Sequence, residues 1–114
     1  MYLDRSALLG RTARRYKDVP LSDGGVVRLQ SLTDLERMEW NQELFDGDGK
    51  PVVERWKYQT AKLLVRVIVD GEGKRVFADH EWESILDMDS LDTDVLGDEA
   101  RKHIGAVDRD AKKS

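Results

Sequence analysis

"DVPLSDGGVVRLQSLTDLER", residues 18–37, decides the fold class. Val19 and Leu21 stand on one side of Asp23-Gly24-Gly25, and Val27 and Leu29 on the other, each pair alternating with polar or less buried neighbours. Alternation at period two around glycines that can take positive φ predicts a β-hairpin. Pro20 cannot donate a ladder hydrogen bond, so its strand belongs at an edge. Directly after the second strand, Thr33 followed by Glu36 matches a capping box, in which hydroxyl and carboxylate satisfy backbone donors at a helix start. A hairpin feeding a helix makes the chain α+β.

Working outward, the helix opened by Thr33 is expected from Asp34 to about Phe45. At 100° per residue Leu35, Met38 and Phe45 fall within about 80° of each other and form its expected core stripe. Trp40 and Leu44 fall on the opposite side. Two apolar faces exceed what one core requires. Trp40 is either covered by the hairpin or the first helix, or it contacts a partner; Trp40 and Leu44 are placed on a partner surface, with Arg37 and Tyr58 beside them.

The segment "VVERWKYQTAKLLVRVIV", 52–69, carries Val53, Trp56, Thr60, Leu63, Leu64 and Val67 along one helical face and Tyr58, Ala61, Val65 and Val69 along a second. Its last seven residues are compatible with a buried strand, since short β-branched runs have no decisive period. The helical period upstream favours one central helix, with Trp56 in the core and "DGEGK" at 70–74 as stop and turn. The second face, incompletely covered, allows weak self-association. Asp79 is expected to cap a short helix carrying Trp82, Ile85 and Leu86, and Ser90 or Asp92 another carrying Leu91, Val95 and Leu96. The domain therefore spans 18–104 as a hairpin followed by three to four helices. Residues 1–17 form a weak, peripheral helix and 105–114 a disordered tail.

Composition narrows the function. The chain has 114 residues, no cysteine and a formal net charge of −4. That is one domain, without disulfides or thiolate metal sites. Its first residues lack the basic-then-apolar run and small-residue cleavage site of a secretory signal, and its longest apolar run, "LLVRVIV" at 63–69, is far short of a membrane span, so a soluble cytoplasmic protein with no membrane partner is expected. Residues 1–17 carry five basic groups against Asp4, while residues 70–99 carry eleven acidic groups against Lys74 and Arg75. The folded middle lacks the basic face that nucleic acid requires, although Arg11, Arg14, Arg15 and Lys17 offer a small cluster.

Chemistry is sparse. "DGDGKP" at 46–51 and "DGEGKR" at 70–75 suggest calcium loops, but in both, lysine stands at the fifth place and no glycine at the sixth, so ordinary turns are expected. The acidic run "DMDSLDTD" at 87–94 suits helix capping. His80 and His103 have no second histidine at ligand spacing. With no nucleophile motif or phosphate-cradling loop, neither catalysis nor a metal or other cofactor is expected.

One ordered pattern remains. Val19-Pro20, Gly24-Gly25, Val27 and Leu32 lead into Thr33 and Glu36, and a later aliphatic segment runs into Asp70, Gly73, Phe77 and Asp79. Between a basic start and an acidic last helix, this pattern resembles the small tail assembly chaperones of long-tailed, siphovirus-like phages and prophages over roughly residues 18–104. The resemblance implies a non-enzymatic protein that holds the tape-measure protein and helps recruit tail-tube subunits in the host cytoplasm, and is absent from the mature virion. The alternative is a structural virion component, such as a head-tail joining or tail-completion protein.

Overall fold

A computed structural model describes residues 2–56 and 58–105, with the side chains of all of these except Glu54 and Trp56. The elements are α1 (Arg5–Leu9), β1 (Tyr16–Pro20), β2 (Val26–Gln30), α2 (Asp34–Gln42), α3 (Val53–Trp56), α4 (Gln59–Val67), β3 (Ile68–Val69), a 3-10 turn (Asp79–Glu81), α5 (Trp82–Ile85) and α6 (Ser90–Ile104). The architecture is α+β: an antiparallel hairpin, extended by one short strand, against helices.

The hairpin forms where the sequence places it. β1 pairs with β2 from Tyr16↔Gln30 to Pro20↔Val26, and the sheet order β1-β2-β3 leaves Pro20 on an edge strand. At the turn Leu21 N–H donates to Gly25 O at 2.7 Å and Gly24 N–H to Leu21 O at 3.0 Å. Only Gly24 of the glycine pair has positive φ, at 95°. This is a three-residue hairpin loop closed by a left-handed glycine.

The same turn recurs twice. Asp46 N–H donates to Lys50 O and Gly49 N–H to Asp46 O; Asp70 N–H donates to Lys74 O and Gly73 N–H to Asp70 O. In each, the aspartate Oδ1 accepts two backbone N–H groups, from Asp48 and Lys50 or from Glu72 and Lys74, at 2.8–3.0 Å. These carboxylates fold their own loops. Pairing of Phe45 with Pro51 and of Val69 with Arg75 marks each D-G-x-G-K segment as a hairpin turn.

That turn corrects the expected helix over 52–69. A hairpin turn at 70–74 needs extended chain on both sides, so the helix ends at Val67 and Ile68 adopts ψ 123°. Ile68 and Val69 then pair with Leu29 and Arg28 as the third strand. The freed carbonyls at the end of α4 find side-chain donors: Gln30 Nε2 donates to Arg66 O at 2.8 Å, and Arg75 Nη2 to Val65 O at 2.8 Å. Helix ends are stable only when such groups are satisfied. The segment is also broken upstream, where α3 ends and α4 begins.

Residues 63–69 are the core. All seven are buried, including Arg66 at 7% exposure, whose guanidinium donates to Glu43 Oε1 at 2.9 Å and to Lys62 O at 2.9 Å. Ala61 and Val65 are buried too, so the second face of α4 is largely packed internally. Val19, Leu29, Trp40, Ile85, Leu96, Ala100 and Ile104 complete the core. The expected core position of the Trp56 side chain lies outside the described residues, as does the tail beyond Gly105.

α2 buries the opposite side from the one expected. Trp40 is 3% exposed and its Nε1–H donates to Gln59 O at 2.9 Å, whereas Leu35, Met38 and Phe45 are exposed. The indole buries more apolar area than the smaller side chains opposite and carries a donor that needs an interior acceptor. Phe45 also lies beyond the helix, in the bridge to Pro51, so the presumed stripe loses its third member.

The remaining helices follow their caps with small shifts. Asp89, in place of Ser90 or Asp92, caps α6, accepting Leu91 N–H at 2.9 Å. Asp79 pairs with Arg75 at 2.6 Å, and Glu81 accepts Ala78 N–H at 2.7 Å to start the 3-10 turn. Trp82 is half-buried and Ile85 buried, but Leu86, Leu91 and Val95 are exposed. α1 ends at Gly10 and buries no side chain.

Two stability predictions follow from this packing. Trp40→Ala should cost ~3–5 kcal/mol in chemical denaturation, while Trp40→Phe should cost less by keeping most of the buried ring. Gly97→Ala, in mid-helix, gains about 1 kcal/mol of propensity, yet its Cβ would stand 2.7 Å from Thr60 Cγ2. Thr60 is held in place by a hydrogen bond from Arg101 Nη2. Overpacking costs ~1–3 kcal/mol, so thermal unfolding should register a net loss; an unchanged or raised midpoint would show that α6 can move away from α4.

Candidate functional site

With Trp40 turned inward, the outer side of α2 carries the apolar surplus. Leu35, Met38 and Phe45 are 63%, 49% and 41% exposed. Asp34, Glu39, Asp46 and Asp48 lie around them and are exposed. Leu35 and Met38 are an apolar pair with acidic neighbours on the outer side of α2, and Phe45 stands beyond the helix end, where Arg55 Nη1 donates to its carbonyl at 2.7 Å. The pair has the form that an amphipathic helix with basic flanks would cover.

The helix is held at both ends. At its start Thr33 Oγ1 accepts Glu36 N–H at 3.2 Å, and Glu36 Oε1 accepts Thr33 N–H at 2.8 Å, completing the capping box. The same carboxylate takes a two-pronged contact from Arg14, with Nη2–Oε2 at 3.0 Å, and Arg14 Nη1 also donates to Ser31 O at 2.8 Å. At the other end Glu43 binds the buried Arg66. The pair thus stands on a helix fixed to the body from behind.

The four residues placed on a partner surface from sequence are buried or half-buried. Trp40 is core. Leu44 is half-buried, its carbonyl accepting Val52 N–H at 2.7 Å as the chain folds back toward the 46–50 turn. Arg37 is half-buried on α2. Tyr58 is half-buried before α4, its ring centroid 4.9 Å from that of Trp82 at 46°. The exposed stripe was visible in the sequence as the apolar face lying opposite Trp40; assigning it required knowing which face meets α4.

The basic cluster near the N-terminus is largely engaged within the fold. Arg14 pairs with Glu36 and Lys17 with Glu99. Arg15 Nη2 donates to His103 O at 2.9 Å, and His103 Nε2 donates back to Arg15 O at 2.9 Å. Among the described residues no group of three or more His, Cys, Asp or Glu could hold a metal ion, and no helix is long and apolar enough to cross a membrane.

The Arg14 guanidinium and the Thr33 hydrogen bonds hold the Glu36 carboxyl down at about 2 against a desolvation that opposes them, and Arg14 is raised in turn. A carboxylate depressed on folding stabilises above its unfolded pKa, and that contribution is lost as pH falls through its folded pKa. Since Glu36 is about one-third exposed, solvent screening limits the effect to on the order of 1–2 kcal/mol. Glu36→Gln should therefore lower stability at pH 7 and flatten its decline between about pH 5 and pH 2. Denaturant titrations at several pH values check this; parallel curves for both proteins would refute it.

No protein-family model and no curated protein matches the chain. Among solved structures, the fold is similar to that of the tail assembly chaperone of bacteriophage HK97, with a TM-score of 0.59 and 20% sequence identity, covering 76% of this chain and 82% of that one. The chain therefore has the fold that the hairpin, capping-box and D-x-x-G-x-x-x-F-x-D pattern led us to expect.

Proposed function

We propose that this protein is a non-enzymatic chaperone of phage or prophage tail assembly, which binds the tape-measure protein and helps recruit tail-tube subunits in the host cytoplasm. The observation that carries this reading is the fold shared with the HK97 tail assembly chaperone over three-quarters of the chain. The outer side of α2 supplies a means. A long helical protein exposes apolar stripes until a tube encloses it, and Leu35 and Met38 with their acidic neighbours can cover such a stripe reversibly. Net negative charge keeps the complex soluble.

Co-purification with the tape-measure protein encoded in the same genome tests the proposal. Leu35→Ser with Met38→Ser should weaken capture by about tenfold, because exposed anchors at the centre of an interface carry most of its energy. The same pair should change stability by only about 0.5 kcal/mol per site. Mass spectrometry of purified particles should find the protein missing. Its presence there in fixed copies, with no capture of the tape-measure protein, would instead establish a head-tail joining or tail-completion role.

A further inference from the structure

A second candidate surface lies where α5 and the first turns of α6 meet α4. A cleft of about 270 Å3 opens there, with Ala61, Ile85, Leu86 and Met88 in its wall and Thr93 and Asp94 at its α6 side. Leu86 is exposed at the cleft, and Leu91 and Val95 are exposed on the adjoining side of α6. Thr60 and Ser90 line it as well, so its wall is as polar as it is apolar, and the volume suits one or two side chains. Residues 87–94 beside it carry Asp87, Asp89, Asp92 and Asp94, while Arg101 donates to Thr60 in the cleft wall. Asp87, Asp92 and Asp94 make no ion pair among the described residues. A fitting occupant is aliphatic at its centre and cationic at its edges.

The chain carries such a segment itself. α1 has five residues, none buried, and Leu8 and Leu9 are both exposed. Arg5 and Arg11 flank those leucines and make no ion pair among the described residues. So short a helix has little stability of its own in water. From Arg14 onward the chain is fastened to Ser31, Glu36 and His103, so the free arm comprises residues up to about Thr12.

We infer that the cleft between α4, α5 and α6 receives the N-terminal arm of a second copy of this chain, with Leu8 or Leu9 entering the cleft and Arg5 and Arg11 facing Asp87 and Asp94. This goes beyond the proposed tail assembly role and does not depend on it. The contact does not use the α2 stripe.

Sedimentation of the full chain over a wide concentration range, at low and moderate salt, tests the inference, together with titration of a peptide of residues 2–11 into a Leu8→Ser, Leu9→Ser variant. The expected result is salt-sensitive, concentration-dependent association that the double variant weakens by about tenfold. The added peptide should shift the methyl resonances of Ile85, Leu86 and Met88 in that variant. Asp94→Lys should abolish both effects, and Arg5→Glu with Arg11→Glu should restore association to the Asp94→Lys protein. Since these side chains are exposed, circular dichroism should be unchanged. Association that persists undiminished in the double variant overturns the inference, as does a peptide that leaves those methyls unmoved. Arm-dependent shifts that do not vary with concentration would place the arm in its own chain's cleft, which also overturns it.

Discussion

Seven consecutive residues, Leu63 to Val69, have no solvent face, and the rest of the molecule is arranged to close around them. A helix buried on one side needs one neighbour; this segment needs the sheet, α2, α5 and α6 together. The change from helix to strand at Ile68 lets so short a stretch contribute both to helix packing and to sheet pairing. Because it is enclosed, its polar requirements must also be met from within: Gln30 and Arg75 serve the backbone carbonyls, and Glu43 serves Arg66. A buried guanidinium is tolerable only when paired, and loss of one partner costs more than the pair contributes. Glu43 therefore fixes the end of α2 as well as neutralising a charge.

Arginine does much of the joining elsewhere. Arg14 links the N-terminal segment to α2, Arg15 links it to the end of α6, Arg28 pairs with Asp18 across the hairpin, and Arg101 ties α6 to Thr60. Several of these contacts reach backbone carbonyls that no helix or ladder satisfies. A planar group with five donors suits that task, since one side chain can serve a carboxylate and a carbonyl together. The high charge content of the chain is thus partly structural. It leaves the negative excess concentrated on α5, α6 and the outer margin of α2.

The parts legible in the sequence were those whose signals are local. The glycine hairpin and the Thr33–Glu36 box form where they were expected because each needs only residues within a few positions of one another. The end of α4 was less legible: "VRVIVD" has no decisive period, and the information lay in the turn that follows. "DGDGK" and "DGEGK" fold alike, and recognising both as hairpin turns would have required extended chain at Ile68 and Val69. The facing of α2 was not legible at all from its own residues. A wheel with Leu35 and Met38 on one side and Trp40 on the other offers two solutions, and the choice rests on a Gln59 carbonyl nineteen residues away that accepts the indole N–H. Trp40 was placed on the partner surface for the same reason.

That reversal has a physical logic. A residue buried in the core cannot leave it without loosening the fold, so apolar surplus is least costly on elements already fixed by other contacts. α2 meets this condition: Trp40, Glu36 and Glu43 hold it from behind, leaving Leu35 and Met38 without a structural task. The α5–α6 region meets it as well, with Ile85 and Leu96 buried while Leu86, Leu91 and Val95 remain outside. Exposed aliphatic groups on rigid supports bind without an ordering cost in the helix that carries them. Acidic side chains accompany both surfaces, and negative charge at a rim favours cationic over anionic neighbours. The three hairpin turns, with Ser22-Asp23-Gly24, Gly47-Asp48-Gly49 and Gly71-Glu72-Gly73 at their tips, present no apolar side chain there. They close the scaffold, and the exposed large apolar groups of the described residues lie more on the helices than on the strands.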